Sequence, residues 1–214
     1  MIHVCVPVLR RYDLLRGMLQ SLEVSTVPYE VHVIDNGRNE ARLLEACDGF
    51  EVDAITPKRP LGIAESWNWF IENIPEERVI TNDDIIFAPD SLERMVASPY
   101  ALAWSQEAGY SCFLIRDECV KVVGLFDETI SPGYGYYEDE DYAMRIHRKG
   151  AAPKIIPCDH VECGVVHLKS KTLEAASRKE LSDHHHRFLV AQANYAKKWP
   201  SEAAQFIPKH VVLR

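Results

Sequence analysis

The stretch Tyr136-Tyr137-Glu138-Asp139-Glu140-Asp141-Tyr142 places four consecutive carboxylates at the start of a segment with helical character. Acids in a first helical turn interact favourably with its free N–H groups and with the macrodipole. That accounts for one or two of them, not four, so some are candidates to bind a cation or to take a proton from a reacting group. A second acidic group, Asn82-Asp83-Asp84, follows the apolar run Arg78 to Ile80. It reads either as a polar turn or as half of a metal site, because a carboxylate together with a bridging diphosphate is a common way to hold Mg²⁺ or Mn²⁺. Asp35 precedes Asn36-Gly37 and is by itself a turn residue bonding its own backbone. A third cluster, Cys158, His160, Cys163 and His167, has the composition of a zinc site. Read as one strand, however, it puts Cys158 and His160 on one side and Cys163 and His167 on the other, so a tetrahedral site there needs a sharp turn at Gly164. His184-His185-His186 lies in a polar helical stretch and reads as a solvated face.

The elements that must position these groups alternate. Ile2 to Val8 is a β-branched apolar run, and Leu14, Leu15, Met18, Leu19 and Leu22 then recur at helical spacing. Glu30 to Ile34 predicts a second strand, Ala41 to Cys47 a short helix and Val52 to Ile55 a third strand. From Gly62 the residues Ile63, Trp67, Phe70, Ile71 and Ile74 mark one helix face, ahead of a strand at Arg78 to Ile80. Pro89 to Val96 predicts a helix capped by Asp90 or Ser91, and Tyr110 to Ile115 another strand. Such alternation implies an α/β, mostly parallel sheet covered on both faces. Ligands bind at the carboxyl ends of strands in sheets of this kind, where Asp35 and Asp83-Asp84 both fall. Leu125 to Tyr137, rich in Gly, Pro and aromatics, reads as a substrate-covering loop.

Composition narrows the classes. Among 214 residues, 47% are apolar, enough for one substantial core. With 24 basic against 32 acidic residues and a net charge of −8, general nucleic-acid binding is not expected. No apolar run approaches the ~20 residues that cross a bilayer, and strand-like sequence begins at Ile2, so the expectation is a cytoplasmic protein without a transmembrane segment. The six cysteines are irregularly spaced and read as reduced thiols.

The ordered set Pro7, Ile34-Asp35-Asn36-Gly37, Gly62 with Asn68, Asn82-Asp83-Asp84, Gly124-Leu125-Phe126-Asp127-Glu128, Glu138-Asp139-Glu140-Asp141-Tyr142 with Arg145 and Gly150, then His167-Leu168-Lys169-Ser170 and Tyr195 to Trp199, resembles family 2 inverting glycosyltransferases of the GT-A fold. The resemblance implies a single Rossmann-like domain over 1–214. Residues 1–97 would be the nucleotide-sugar-binding half, 98–170 the acceptor and catalytic half, and 171–214 a C-terminal helical segment. It implies donor contacts from Pro7, Asp35, Gly62, Asn68, Asn82, Asp83 and Lys169, with Asp35 on the base or ribose. It implies Mn²⁺ or Mg²⁺ on Asp84 and His167, Asp139 as general base, and Glu138 beside it facing the acceptor. Glu140 would cap the helix and Asp141 would pair with Arg145 at i,i+4. Departures from the family pattern are Val8-Leu9-Arg10 after the first proline and Asn82 at the first position of the DXD motif.

These residue types suit transfer of a sugar from a nucleotide-sugar donor, UDP-linked, to an acceptor hydroxyl. A divalent cation offsets charge on the leaving diphosphate, and a carboxylate among other acids has a raised proton affinity, which suits a base. Tyr134, Tyr136 and Tyr137 could stack on a sugar or pack. The acceptor stays open among a glycan, a protein, a lipid-linked sugar and a modified nucleobase. Two alternatives stand beside this reading. A sugar nucleotidyltransferase would carry a Gly-rich phosphate loop where this chain has Leu9-Arg10-Arg11-Tyr12, and a catalytically silent glycan-binding or nucleotide-sugar-binding module would have no need of Asp84, Asp139 and His167.

Overall fold

The computed structural model describes residues 1–148, 158–168 and 177–200. Nine strands are present in the described residues: β1 (Ile2–Val8), β2 (Tyr29–Asp35), β3 (Val52–Ile55), β4 (Arg78–Thr81), β5 (Ile85–Ile86), β6 (Leu102–Ser105), β7 (Gly109–Ile115), β8 (Cys158–Val161) and β9 (Val166–His167). The helices are α1 (Tyr12–Leu22), α2 (Glu40–Cys47), α3 (Ile63–Asn73), α4 (Ser91–Ala97), α5 (Asp117–Val123), α6 (Glu138–Arg148) and α7 (Arg178–Lys198). The main sheet has the order β3-β2-β1-β4-β7-β6-β8, and β7 alone runs against the others. The sheet is thus mostly parallel, as the alternating pattern predicts. β5 and β9 form a separate antiparallel pair.

β1 is buried along its whole length because both of its faces are covered. Val4, Val6 and Val8 pack with Leu15, Met18 and Leu19 of α1 and Leu43 of α2. On the opposite face, Cys5 and Ile34 pack with Trp67, Phe70 and Ile71 of α3, Cys119 of α5 and Tyr142 of α6. A smaller cluster, Ile130, Tyr137, Met144, Ala191, Tyr195 and Trp199, seats α7 against α6 and the loop before it. None of the described helices is long and apolar enough to cross a membrane.

Several expectations change in detail. Pro7 lies inside β1. It is tolerated because Val8 O accepts from Asn36 N on the β2 side, which turns the Pro7 nitrogen toward β4, beyond Cys5, the last residue paired there. β6, whose four residues carry little strand signal, pairs along β7. Asp90 stands at the N-cap of α4 as expected, but its side chain accepts from Arg94 Nε at 2.7 Å instead of capping the helix backbone, and Ser91 Oγ accepts from Ala88 N at 2.8 Å. The span from Cys158 to His167 is two short strands, not one, with Gly164 between them at φ +73°, a conformation that glycine adopts without strain.

Candidate active site

β4 stops at Thr81, and Asn82 N continues the contact with β7 by donating to Ser111 O at 2.8 Å. The chain then turns through Asp83 and Asp84, both buried, into β5. β9 pairs with β5 so that His167 stands opposite Ile85, and Leu168 N donates to Asp84 O at 2.9 Å. This short pairing carries His167 Nε2 to 3.3 Å from Asp84 Oδ2. The other carboxylate oxygen, Asp84 Oδ1, is buried without a hydrogen-bond partner among the described residues. Burial, then the charge of Asp84, raises the proton affinity of Asp83 to about 7.

The four acids of α6 have four different surroundings. Glu138 is buried and accepts the Tyr136 N–H, and burial followed by the neighbouring Asp139 raises it to about 8. Asp139 is half-buried and its Oδ1 accepts from Glu140 N at 3.0 Å. Glu140 is not the simple helix cap expected. Burial, and then a hydrogen bond with the Asp139 carboxylate, hold its proton affinity well above the carboxylate range. Asp141 is fully buried and bonds Arg145 Nε at 2.9 Å, Lys198 Nζ at 2.7 Å and Trp199 Nε1 at 2.8 Å. The expected pair with Arg145 is therefore part of a wider joint to α7.

Both acidic groups border the first residues of β7. Ser111 is bonded to Asn82, while Asp139 and Glu140 lie close enough to Tyr110 to add to the rise in its hydroxyl proton affinity that burial causes. Tyr110 Oη is itself buried without a partner among the described residues. Its position in a strand gives no sign of this in the sequence.

Other expected donor contacts are committed within the fold. Asp35 is fully buried, and its oxygens accept from Tyr12 Oη at 2.5 Å, Arg38 N at 2.9 Å and Asn39 N at 3.0 Å. Asn68 grips the segment after α5: its Nδ2 donates to Phe126 O and Glu128 Oε1, and its Oδ1 accepts from Phe126 N. Gly62 caps α3 with its N–H on Glu65 Oε2, and a Cβ there would meet Tyr134 O at 2.7 Å and Tyr134 N at 2.8 Å. The loop from Leu125 to Tyr137 is thus seated on α3. Lys169 lies outside the described residues, as do Gly150 and Ser170.

The tyrosines of that loop pack. Tyr136 and Tyr137 contact Phe188 of α7, Tyr137 Oη accepts from Gln192 Nε2 at 3.0 Å, and Arg187 covers the Tyr134 ring. His184 is not simply a solvated residue, since its Nε2 bonds the Tyr136 hydroxyl, whereas His185 and His186 are exposed. The zinc alternative at Cys158, His160, Cys163 and His167 is not assembled. Cys158 interacts with Cys119, His160 Nε2 accepts from Trp104 Nε1, Cys163 lies by Glu107, and His167 faces Asp84.

No protein-family model matches the chain, and no curated protein sequence matches it. Its structure is similar to that of the mannosyltransferase PcManGT from Pyrobaculum calidifontis in complex with GDP-Man and Mn²⁺, with a TM-score of 0.59 at 15% identity over 95% of this chain and 77% of that one. It is similar to glucosyl-3-phosphoglycerate synthase from Mycobacterium tuberculosis in complex with Mn²⁺, UDP and glucosyl-3-phosphoglycerate, with a TM-score of 0.60 at 16% identity over 92% and 79% of the two chains. The fold is GT-A. S. aureus TarS shares it, at a TM-score of 0.57 and 11% identity over 99% of this chain and 75% of that one. In open α/β sheets ligands bind in the crevice outside the carboxyl ends of the strands, which is the end of this sheet where Asp83, Asp84 and His167 lie.

Proposed function

We propose that this chain is a metal-dependent inverting glycosyltransferase that moves a sugar from a nucleotide donor, UDP-linked, to an acceptor hydroxyl. The observation that carries the reading is the Asp84–His167 pair at 3.3 Å, with Asp84 Oδ1 buried and unpartnered beside it. A buried acceptor without a donor costs about 1 to 3 kcal/mol, more when charged, so it is a place where a cation is favoured. One carboxylate oxygen and one imidazole nitrogen fit Mn²⁺ or Mg²⁺ when substrate phosphates and water fill the other positions. A cation held there would offset the negative charge that builds on the departing diphosphate.

The chain's own groups supply the rest. Asp139, half-buried at the N-terminus of α6, is the base that takes the acceptor's proton. Glu138 holds a proton at neutral pH and is enclosed, so it supports the turn at Tyr136 and is the poorer base of the two. Glu140, also protonated at neutral pH, steadies the Asp139 carboxylate through their hydrogen bond. Asp83 faces the donor's ribose or sugar, and Asn82 the same ligand. Pro7, Asp35, Gly62 and Asn68 act on the donor through the backbone they hold in place, and Lys169 would contact it directly. The complexes of the similar folds with GDP-Man and with UDP, each with Mn²⁺, support a nucleotide-sugar donor.

The test is a thermal-shift panel of nucleotide sugars with and without Mn²⁺, repeated in Asp84→Ala and His167→Ala. A ligand at 100 times its Kd stabilises by about 2.7 kcal/mol. One nucleotide sugar should raise the Tm only with Mn²⁺, Asp84→Ala should abolish that shift and His167→Ala should reduce it. A shift equal in wild type and both variants would sink the metal assignment.

A further inference from the structure

Away from the candidate active site, near the amino ends of the same strands, β1, β2 and β3 carry a group of chemistry-bearing side chains that the proposed reaction does not use. His3 and Glu30 are register partners, His32 follows Glu30 on the same face of β2, and Asp53 is the partner of His32 on β3. His3 Nδ1 stands 3.0 Å from His32 Nε2 and 3.3 Å from Glu30 Oε2, with His32 Nε2 4.0 Å from that same oxygen. Donor atoms around a tetrahedral cation with bonds of ~2.0 to 2.1 Å lie roughly 3.3 to 3.4 Å apart, so this triangle already has nearly the right size. On the other side of its ring, His32 Nδ1 is 3.3 Å from Asp53 Oδ2. A carboxylate there accepts a hydrogen bond from Nδ1–H and fixes the tautomer in which Nε2 carries the free lone pair, the usual support for a metal-bound imidazole.

Both imidazoles are buried and Glu30 is exposed, so an ion has a route in and water can reach a fourth position. A proton on His3 Nδ1, shared with His32 Nε2 and Glu30 Oε2, is the alternative occupant of this triangle, and direct titration with the metal distinguishes the two. Arg78, the β4 partner of His3, is a nearby positive charge already engaged by Asp117 and by the carbonyls of Ile71 and Ile74. Among the described residues no other three His, Cys, Asp or Glu side chains converge in this way. Two imidazoles with one carboxylate suit a borderline ion better than the hard Mg²⁺ or Mn²⁺. We propose that His3, Glu30 and His32 form a zinc site that ties β1 to β2, separate from the candidate active site.

Zn²⁺ is titrated calorimetrically into the chelator-treated full chain without nucleotide, and Co²⁺ is followed by its visible absorption. One saturable equivalent should bind, persist in Asp84→Ala and disappear when His3→Gln and His32→Gln are combined. Glu30→Gln, at an exposed position that spares the fold, should weaken binding, and Asp53→Asn should weaken it about 10- to 100-fold. Should the double histidine variant fail to fold, the Glu30 and Asp53 variants decide the matter. Three results each overturn the site: no saturable Zn²⁺ binding by the wild type, loss of binding in Asp84→Ala, or unchanged affinity in both Glu30→Gln and Asp53→Asn.

Discussion

Glu138 and Asp139 are adjacent in the chain but not alike in environment, and the difference separates the roles proposed for them. Asp139→Asn keeps size and hydrogen bonding while removing the proton acceptor. Transfer should fall ~10² to 10⁴-fold, with donor affinity by calorimetry and Tm close to wild type. A less stable variant with full activity would mean that Asp139 serves only the helix terminus, a role worth about 0.3 to 1 kcal/mol. Glu138 is judged by pH instead. Its folded proton affinity, about 8, lies above the ordinary 4.5. The folded state therefore binds this proton more tightly than the unfolded state. The resulting stability is complete below 4.5 and is lost as pH rises through about 8. Glu138→Gln keeps an acceptor for the Tyr136 N–H and removes the titration. Urea midpoints between about pH 5 and about pH 9 should decline less in this variant than in wild type; parallel profiles would contradict the burial argument.

At the scale of elements, α3 holds the loop from Leu125 to Tyr137 at both ends of its reach. Asn68 takes the backbone of Phe126, and the N–H of Ile63 donates to Tyr134 O at 2.7 Å beside Gly62. Gly62→Ala would set a methyl group against Tyr134 backbone atoms at 2.7 and 2.8 Å, where no flexible side chain can yield. Overpacking of this kind costs about 1 to 3 kcal/mol. The loss should appear as a lower urea midpoint and as faster proteolysis within 125–137, while a variant as stable as wild type would show that the loop shifts freely. Gly62 and Asn68 stand out in the sequence as a spaced pair. Their common task of seating one loop is not legible there, since Phe126 is 58 residues from Asn68 and Tyr134 is further still from Gly62.

For the whole molecule, Asp141 is the joint between the sheet domain and α7. Its carboxylate is fully buried and joins Arg145, Lys198 and Trp199, residues of α6 and of the end of α7. Removing one partner of a buried charged group strands the others, which costs about 3 to 5 kcal/mol. Asp141→Ala should therefore lose stability on that scale in urea and release α7, seen as loss of amide protection across 178–198 by hydrogen exchange. Unchanged protection there would show that the apolar contacts of Tyr195 and Ala191 hold α7 alone.

The alternation of strands and helices, and the place of Asp83-Asp84 after β4, follow from the sequence alone, because apolar periodicity and turn residues act over a few positions. β6 does not, as Leu102–Ser105 becomes a strand by pairing between β7 and β8. The four acids Glu138, Asp139, Glu140 and Asp141 are legible in part: the i,i+4 spacing gives the Asp141–Arg145 pair, whereas the surroundings that raise the proton affinities of Glu138 and Glu140 are set only by what packs around each. His167 reaches Asp84, 83 residues earlier in the chain, through the β5–β9 pairing. His3 and His32 become neighbours only through the register of β1 on β2. Pairing between distant strands is decided by which apolar faces bury together, a property of the assembled sheet that no short stretch of the chain contains.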